Sequence, residues 1–378
     1  MDADVFGQVL GAVRDFVRKE VVPREAEIDE RDEIPAGIRD KAAELGLFGW
    51  ALPEEYGGLG LGMAEDVRLA IELGWTTPAF RSLFGTNNGI AGQAIVHHGT
   101  PEQRTRWLPR LAAGRAIASF ALTEAEAGSD PGGLTSRAVR DGDRYRLSGT
   151  KRFITNAPLA EVFVAFARTD PEGTGSRGIS AFLVPAGAPG VTVGPHDAKM
   201  GQAGAWTSEV VFDDVELSAD ALVGEEGAGF GIAMASLARG RLHIAALCVG
   251  LAERALAEAV EYARTARQGG RVIGEYQLVQ ALLAESHAEL AAGRAMVHEA
   301  AAKYDSGEDR KLGPSSAKLF CTEMLGRVAD RAVQVHGGTG YVRGVTVERI
   351  YRDARLFRIY EGTSEIQKLV IARQLLKG

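Results

Sequence analysis

The chain has 378 residues, of which 46% are hydrophobic and 25% are charged, and its formal net charge at pH 7 is -7. Acidic and basic residues are interspersed, which argues against a broad nucleic-acid or anionic-membrane surface. The amino terminus lacks a basic, apolar leader, and no uninterrupted apolar run nears the ~20 residues of a membrane span. Because the two cysteines, Cys248 and Cys321, lie far apart in helix-like stretches, we expect a soluble cytoplasmic protein with reduced thiols.

The first part of the chain, residues 1–120, is predicted to be helical. VRDFVRKEVV and IRDKAAELGLFGW carry apolar residues at three- and four-residue spacing, and EQRTRWLPRLAAG ends in a glycine stop signal. The segment PEEYGGLGLG (53–62) is a glycine-rich connection between helices. We expect an amino-terminal α-helical domain.

The second part, residues 121–226, has the residue composition typical of β-strands. DRYRLSGTKRFIT, EVFVAFART, GISAFLVPAG and WTSEVVFDDVEL are rich in β-branched and aromatic residues and are separated by Gly, Pro and Asp clusters. They predict a middle antiparallel β-sandwich or barrel domain. From 227 to 378 the helical period returns in long alanine-rich stretches, which predicts an antiparallel domain resembling a four-helix bundle. The predicted fold class is therefore multidomain α+β, with helices, then strands, then helices.

Several common chemistries lack their sequence motifs. GGLGLG and GEEGAGFG are glycine-dense, but neither has the G-x-G-x-x-G spacing, and there is no P-loop and no G-x-S-x-G segment. The seven histidines form no H-E-x-x-H motif and no Cys/His cluster. We therefore expect no Rossmann site, no serine-hydrolase elbow and no metal.

Three polar or glycine-rich segments are candidate ligand sites. In ALTEAEAGSD (121–130), Thr123 and Ser129 suit a turn that faces a polar ligand, or a capped surface turn. In GTKRFITNAP (149–158), Phe153 and Thr155 share a strand face, where they either contact a flat ring or belong to the core. In QVHGGTGYV (334–342), three glycines in four positions either let the backbone approach a ligand or another subunit, or form a helix end. The residue types leave both interpretations of each segment open.

The segment IYEGTSEIQ (359–367) places two glutamates four residues apart. The last helix is predicted to begin near Thr363, a good N-cap residue, so Glu365 falls in the first turn and offsets the helix dipole. Glu361 lies before the cap, on an irregular segment beside Gly362. A carboxylate held against apolar neighbours has a raised proton affinity, which makes Glu361 the candidate general base.

Together and in this order, these segments resemble the acyl-CoA dehydrogenase family of flavoproteins. The resemblance covers essentially the whole chain and includes LGLFGWALPEEYGGLGL, GTPEQRTRWLPRLAAGRAIASFALTEAEAGSD, GTKRFITNA, KMGQAGAWTSEVVFDDVEL, QVHGGTGYVRG and YRDARLFRIYEGTSEIQ. It implies FAD as the cofactor and α,β-dehydrogenation of an acyl-CoA thioester. In the short- and medium-chain branch of the family the base is the glutamate of the EGT motif, which is Glu361 in this chain. A second branch carries its glutamate beside the arginine, where this chain has Gly240 next to Arg241.

The same resemblance assigns the remaining site residues and the partners. Glu361 would remove the Cα proton while the Cβ hydride passes to flavin N5. Electron-transfer flavoprotein is the implied electron acceptor. A neighbouring subunit would lend 334–338 to the adenosine half of FAD, which implies a homo-oligomer, commonly a dimer of dimers. The implied substrate-binding residues are Ser129, Arg241, Tyr360 and Gly362. The implied cofactor-binding residues are Leu122, Thr123, Ser129, Phe153, Ile154, Thr155, Gln277, Gln334, Gly337, Gly338, Thr363 and Glu365.

Departures from the family pattern keep two alternatives open. In YARTARQGG (262–270), Ala266 and Gly269 stand where the family commonly has an arginine and a phenylalanine that reach the partner subunit's FAD. The first alternative keeps the fold but acts on an acyl-carrier-protein thioester, or as a flavin oxidase or monooxygenase. The second is a non-catalytic homologue that serves as a binding partner.

Overall fold

The computed structural model describes residues 1–377, and its first part is helical, as predicted. Asp2 caps the first helix, which continues through a π-helical turn at Val17–Val21, and Thr100 with Gln103 forms a capping box at the start of the seventh helix. All twelve residues of the fifth helix are buried. The helices are α1 (Ala3–Phe16), α2 (Glu25–Arg31), α3 (Ala36–Glu44), α4 (Met63–Leu73), α5 (Pro78–Gly89), α6 (Ala91–His98) and α7 (Pro101–Ala112).

The middle part is a β domain, which confirms the predicted change from helices to strands. Its sheet order is β6-β7-β3-β2-β4-β5-β8, with β1 beside β4; most pairings are antiparallel, while β1 and β2 pair with β4 in parallel. Hydrophobic and polar residues alternate along β3 and β7, so one face of each strand is buried in the core. The strands are β1 (Ala118–Ala121), β2 (Arg137–Asp141), β3 (Arg144–Thr155), β4 (Val162–Arg168), β5 (Ile179–Pro185), β6 (Val191–His196), β7 (Thr207–Ser218) and β8 (Leu222–Val223).

The last part is again helical, as predicted. Its central helix, α8, packs against α9 and α10 and also against α4 of the first part, so the two helical parts share one core. A short hairpin of β9 (Arg267–Gln268) and β10 (Arg271–Val272) follows α8. The helices are α8 (Gly229–Thr265), α9 (Gln277–Ser306), α10 (Leu312–His336), α11 (Thr346–Phe357) and α12 (Ser364–Leu375).

Helix α8 is long and apolar enough to cross a membrane by length and composition alone. Within the protein, 72% of its most apolar window is buried. The side chains that give the helix its hydropathy therefore already pack against protein, as in the core helix of a globular domain.

A buried carboxyl group joins the last helical part of the chain to the β domain. Asp353 on α11 is 1% exposed, and its Oδ1 accepts a hydrogen bond from the backbone N–H of Gln202 in the β domain. Its Oδ2 has no hydrogen-bond partner within residues 1–377. Burial raises the pKa of Asp353 to about 7, although Arg349 and Arg352 lie near enough to oppose the shift.

We expect Asp353→Asn to flatten the pH dependence of thermal stability. The unfolded chain loses this proton near the ordinary value of 3.8, whereas the folded protein holds it up to about pH 7. Folding therefore binds a proton in this interval, and the contribution of Asp353 to the free energy of unfolding falls as the pH rises through it. The Tm of the variant relative to wild type should increase between pH 5 and pH 8. The exposed control is Asp143→Asn. A Tm difference between Asp353→Asn and wild type that does not change with pH, or the same pH trend in the control, would contradict this prediction.

Candidate active site

One cavity of about 620 Å³ lies where the three parts of the chain meet. Its wall comes from α5, the segment after β1, the carboxyl end of β3, the first half of α8, and the loop and helix that follow α11. A large pocket with a mostly apolar wall and a few polar groups is typical of a small-molecule site. The apolar wall residues include Ile90, Phe120, Phe230, Met234, Leu237, Ile366, Leu369 and Val370.

Glu361 lines this cavity from the loop between α11 and α12. Glu361 and Gly362 both have left-handed backbone conformations, with φ of 53° and 90°. For a residue other than glycine this conformation costs ~1–2 kcal/mol, and such strain clusters at functional sites. Buried Gln367 holds the loop, because its Nε2 donates to the carbonyl oxygens of Glu361 (3.3 Å) and Gly362 (3.0 Å). The Thr363 hydroxyl accepts from the Ile366 N–H and begins α12, as predicted.

The carboxylate of Glu361 has the electrostatic setting of a base. Burial raises its pKa, and Arg81, Lys318 and Arg241 oppose that rise, in this order of strength. Its Oε2 is buried and has no hydrogen-bond partner within the described part of the chain. A carboxylate with raised proton affinity and a free oxygen in a cavity is suited to accept a proton from a bound ligand.

Helix α8 brings a glycine and an arginine against this carboxylate. A Cβ atom on Gly240 would overlap Oε2 of Glu361, so the absence of a side chain lets the carboxylate lie against the helix. Arg241 is 8% exposed and lines the cavity, and its Nε has no hydrogen-bond partner among the described residues. Burial lowers the pKa of Arg241, and Glu361 opposes this.

A second cation supports the loop from behind. Lys318 on α10 is fully buried, and its Nζ donates to the Gly362 carbonyl oxygen at 2.7 Å. Burial lowers the pKa of Lys318 to about 8, against the opposing effects of Cys248 and Glu361. The ammonium group therefore both anchors the loop and favours the ionised form of Glu361.

We expect Lys318→Met to move the acid limb of the kcat/KM–pH profile to higher pH. Removing a nearby positive charge disfavours the ionised carboxylate, so the pKa of Glu361 rises further. Activity at pH 7 should fall, and part of it should return at higher pH. The matched control is Lys311→Met, because Lys311 is exposed at the start of the same helix. A lower rate with an unshifted acid limb would limit Lys318 to a structural role.

The site residues predicted in the β domain line the same cavity as Glu361. The backbone N–H of Arg152 donates to the Thr123 carbonyl oxygen at 2.9 Å, which aligns the segment after β1 with the end of β3. The pairing of β3 with β7 is irregular between Lys151 and Ile154, and Phe153 there has φ of 59° and is 61% exposed. These cavity residues are Leu122, Thr123, Ser129, Phe153, Ile154 and Thr155.

A buried ion pair fixes these two segments to each other. Lys151 is fully buried, and its Nζ lies 2.8 Å from Oε1 of Glu124 and 3.3 Å from the Leu122 carbonyl oxygen. Glu124 also accepts hydrogen bonds from Thr135 and Ser136. Because its oxygens are satisfied by these donors, Glu124 is a positioning residue for the cavity wall rather than a free acid or base.

Six of the predicted cofactor residues do not line the cavity. Gln277, Gln334, Gly337 and Gly338 are exposed at one end of the helical domain, where the rings of Tyr262 and His336 stack. Thr363 and Glu365 also lie outside the cavity wall. The Thr363 hydroxyl caps α12, and backbone hydrogen bonding lowers the pKa of Glu365 in the first turn of that helix.

Arg81 and Lys318 are cavity-associated cations that sequence reasoning missed. Arg81 lines the cavity from α5, and Lys318 lies behind the Glu361 loop. A charged residue within PAFRSLFGTNNG, a helix otherwise made of apolar, small and neutral polar residues, is a usable signal for Arg81. By contrast, nothing in AKLFCTE distinguishes Lys318 from an exposed helical lysine.

Three domains of one protein family match the chain in sequence. The acyl-CoA dehydrogenase N-terminal domain matches residues 7–115, the middle domain 119–215 and the C-terminal domain 227–376. The caffeyl-CoA reductase–Etf complex subunit CarC of Acetobacterium woodii is 39% identical over 365 residues, which are 96% of this chain and 96% of that protein.

Solved structures match over the whole chain. Butyryl-CoA dehydrogenase from Megasphaera elsdenii superposes with a TM-score of 0.95 at 35% identity, covering 100% of both chains. The prolyl acyl carrier protein oxidase AnaB superposes with a TM-score of 0.95 at 32% identity, again covering 100% of both chains. The helical–β–helical architecture described above is therefore shared with enzymes of different substrates.

Proposed function

Because the chain belongs to the acyl-CoA dehydrogenase family of oxidoreductases that act on CH–CH bonds, we propose that it carries out FAD-dependent α,β-dehydrogenation of an acyl-CoA thioester with Glu361 as the base. The observation that carries the proposal is the position of Glu361. It is a carboxylate with a raised pKa and an unpartnered oxygen, in the wall of the same cavity as the segments that we propose to bind the flavin.

The cavity wall fits FAD, the cofactor of this family. Phe153 presents an exposed ring beside Thr155, and a Cβ atom at Gly128 would meet nothing within 4 Å, so the wall has an aromatic face, a hydroxyl group and open backbone. Such groups hold a flat, hydrogen-bonding ring system. Leu122, Thr123, Ser129, Phe153, Ile154 and Thr155 would hold the flavin. When bound, FAD supplies the acceptor for the hydride that leaves Cβ.

Within this reaction the residues of the chain position the thioester and move one proton. The Glu361 carboxylate accepts the proton from Cα, and its backbone N–H donates to the thioester carbonyl oxygen as negative charge develops there. Tyr360, Gly362 and Arg241 line the same cavity, which supports their contact with the thioester. Gly240 supports this assignment, because a side chain there would displace the Glu361 carboxylate.

The assembly and the electron acceptor follow from the same proposal. Gln277, Gln334, Gly337 and Gly338 are exposed and away from the cavity, which supports their contribution to the FAD of a neighbouring subunit in a dimer or a dimer of dimers. Similarity to a subunit of a caffeyl-CoA reductase–Etf complex supports electron-transfer flavoprotein as the acceptor. A cytoplasmic location agrees with the soluble fold of the relatives.

The proposal is tested by anaerobic titration of the FAD-loaded protein with acyl-CoA thioesters of different chain length and end group. Loss of the flavin absorbance band, with formation of the enoyl-CoA, is the expected result. A flavin band that no acyl-CoA bleaches would overturn the proposed substrate class. The outcome is read before any electron acceptor is added, so it does not depend on identifying that partner.

A second candidate function is dehydrogenation of a thioester bound to an acyl carrier protein, followed by oxidation of the flavin by oxygen. Full-length similarity to AnaB favours it, as do Ala266 and Gly269 in the hairpin region. The discriminating observation is bleaching by a carrier-protein thioester but not by the corresponding acyl-CoA, with rapid reoxidation in air.

A further inference from the structure

Arg81 is a buried guanidinium that the protein itself leaves unpaired. It is 6% exposed, it lines the cavity from α5, and its Nε has no hydrogen-bond partner within residues 1–377. No carboxylate of that part of the chain forms an ion pair with it. An arginine side chain has five N–H donors and no acceptor, and leaving such a charge buried without a counter-charge is costly.

The buried carboxylates near Arg81 are either committed to other partners or reserved for the proton transfer, and Asp130, which also lines the cavity, is exposed and forms no ion pair with Arg81 within residues 1–377. Asp66, on α4, accepts from Trp50 at 3.2 Å and from Arg239 at 2.9 Å and lies 2.5 Å from His243 Nδ1. Glu361 is not within ion-pairing distance of Arg81, and it faces three cations, Arg81, Lys318 and Arg241. The charged residues of the cavity wall are three arginines, Arg81, Arg241 and Arg373, and two carboxylates, Asp130 and Glu361, so the wall carries excess positive charge.

Helix α5 is shaped to hold the guanidinium in place. A Cβ atom on Gly85, one turn after Arg81, would lie 2.7 Å from Cζ of Arg81, and one on Gly89 would lie 3.9 Å from Nη2. The side chain thus runs along its own helix over a stretch that the glycine at 85 leaves open. A guanidinium seated in this way, with its donors unused, is a preformed site for an oxyanion.

We propose that the acyl chain of the substrate is short and ends in a carboxylate, which binds Arg81 while Cα lies at Glu361. This inference rests on the proposed function. Arg81 and Glu361 line the same cavity of about 620 Å³, which also has to hold the flavin ring, so few carbons separate Cα from the acid group. An uncharged acyl chain would leave Arg81 buried and unpaired. In the reaction the Cα proton passes to Glu361, the Cβ hydride leaves with its electron pair to FAD, and the carboxylate is retained in the enoyl product.

The test measures binding first, in the FAD-loaded Glu361→Gln protein, which removes turnover from the readout. Dissociation constants are obtained from the shift of the flavin band for succinyl-CoA and glutaryl-CoA, and for butyryl-CoA and pentanoyl-CoA as uncharged chains. We expect the dicarboxylic thioesters to bind more tightly by about 10- to 150-fold, the range for one charge-assisted hydrogen-bonded contact. Adding Arg81→Leu should abolish or reverse this preference.

Two further variants keep the result decisive. Arg81→Lys retains the charge and most of the bulk and should keep a reduced preference, which covers the case in which Arg81→Leu fails to fold. Arg104→Leu is the matched control, because the Nε of Arg104 is also buried and unpartnered within residues 1–377 but the residue lies outside the cavity wall. This variant should prefer dicarboxylic thioesters as strongly as the Glu361→Gln protein does. The inference would be overturned if the Glu361→Gln protein bound the uncharged acyl chains as tightly as the dicarboxylic ones or more tightly. It would also be overturned if the Arg81→Leu substitution left the preference for dicarboxylic chains unchanged. In either case bleaching of wild-type flavin by butyryl-CoA would leave the proposed dehydrogenase function intact.

Discussion

Replacing Glu361 with glutamine is expected to lower kcat by about 10²–10⁴-fold while the protein keeps its fold and its flavin. The amide has nearly the same shape as the carboxylate and can occupy the same left-handed loop, which Gln367 and Thr363 hold independently of the side chain. It has no basicity, however, so the Cα proton loses the acceptor that the Glu361 carboxylate provides. The measurement is the rate of flavin bleaching in single turnover with a saturating acyl-CoA.

The pH dependence sharpens this prediction. Only the ionised carboxylate accepts a proton, and burial raises the pKa of Glu361, so the wild-type rate should rise with pH through that pKa and then level off. The residual rate of the Glu361→Gln variant should not show this rise with pH. Glu299→Gln is the control, since Glu299 is exposed on α9 and pairs with Lys303 on the same helix. A variant with near wild-type kcat would remove Glu361 from the chemistry.

Replacing Gly240 with alanine is expected to lower kcat by about 10²-fold, the usual cost of displacing a catalytic group by about 1 Å. The new methyl group would overlap Oε2 of Glu361, so the carboxylate must move away from the helix. Alanine also stabilises a helix relative to glycine, by roughly 0.5–1 kcal/mol. The predicted signature is therefore an enzyme that is no less stable but much slower.

The same helix offers a matched control for this substitution. A Cβ atom on Gly231, an exposed residue in the first turn of α8, would meet nothing within 4 Å. Gly231→Ala should share any helix-propensity gain in Tm and leave the bleaching rate unchanged. If Gly240→Ala kept the wild-type rate, the contact between α8 and the base would not constrain the chemistry.

The architecture was largely predictable because its signals are local. Apolar periodicity and β-branched enrichment placed the helical, β and helical parts in the right order, and Thr363 was identified as the cap of α12 from residue type alone. The irregular pairing at Phe153 was not foreseen, since a bulge depends on the register of β3 against β7 rather than on the sequence of either strand.

The candidate site divides in the same way between local sequence and tertiary structure. The sequence by itself pointed to Glu361 as the candidate base, because its place just before the cap of α12 is a local feature, whereas the segments around Thr123 and Thr155 were assigned only through the resemblance to the family. Only the tertiary structure placed Arg81 and Lys318 near Glu361, since these residues come from helices more than forty positions away in the chain. Proton affinity and charge balance depend on burial and on distances across the fold, and no local pattern encodes either of them.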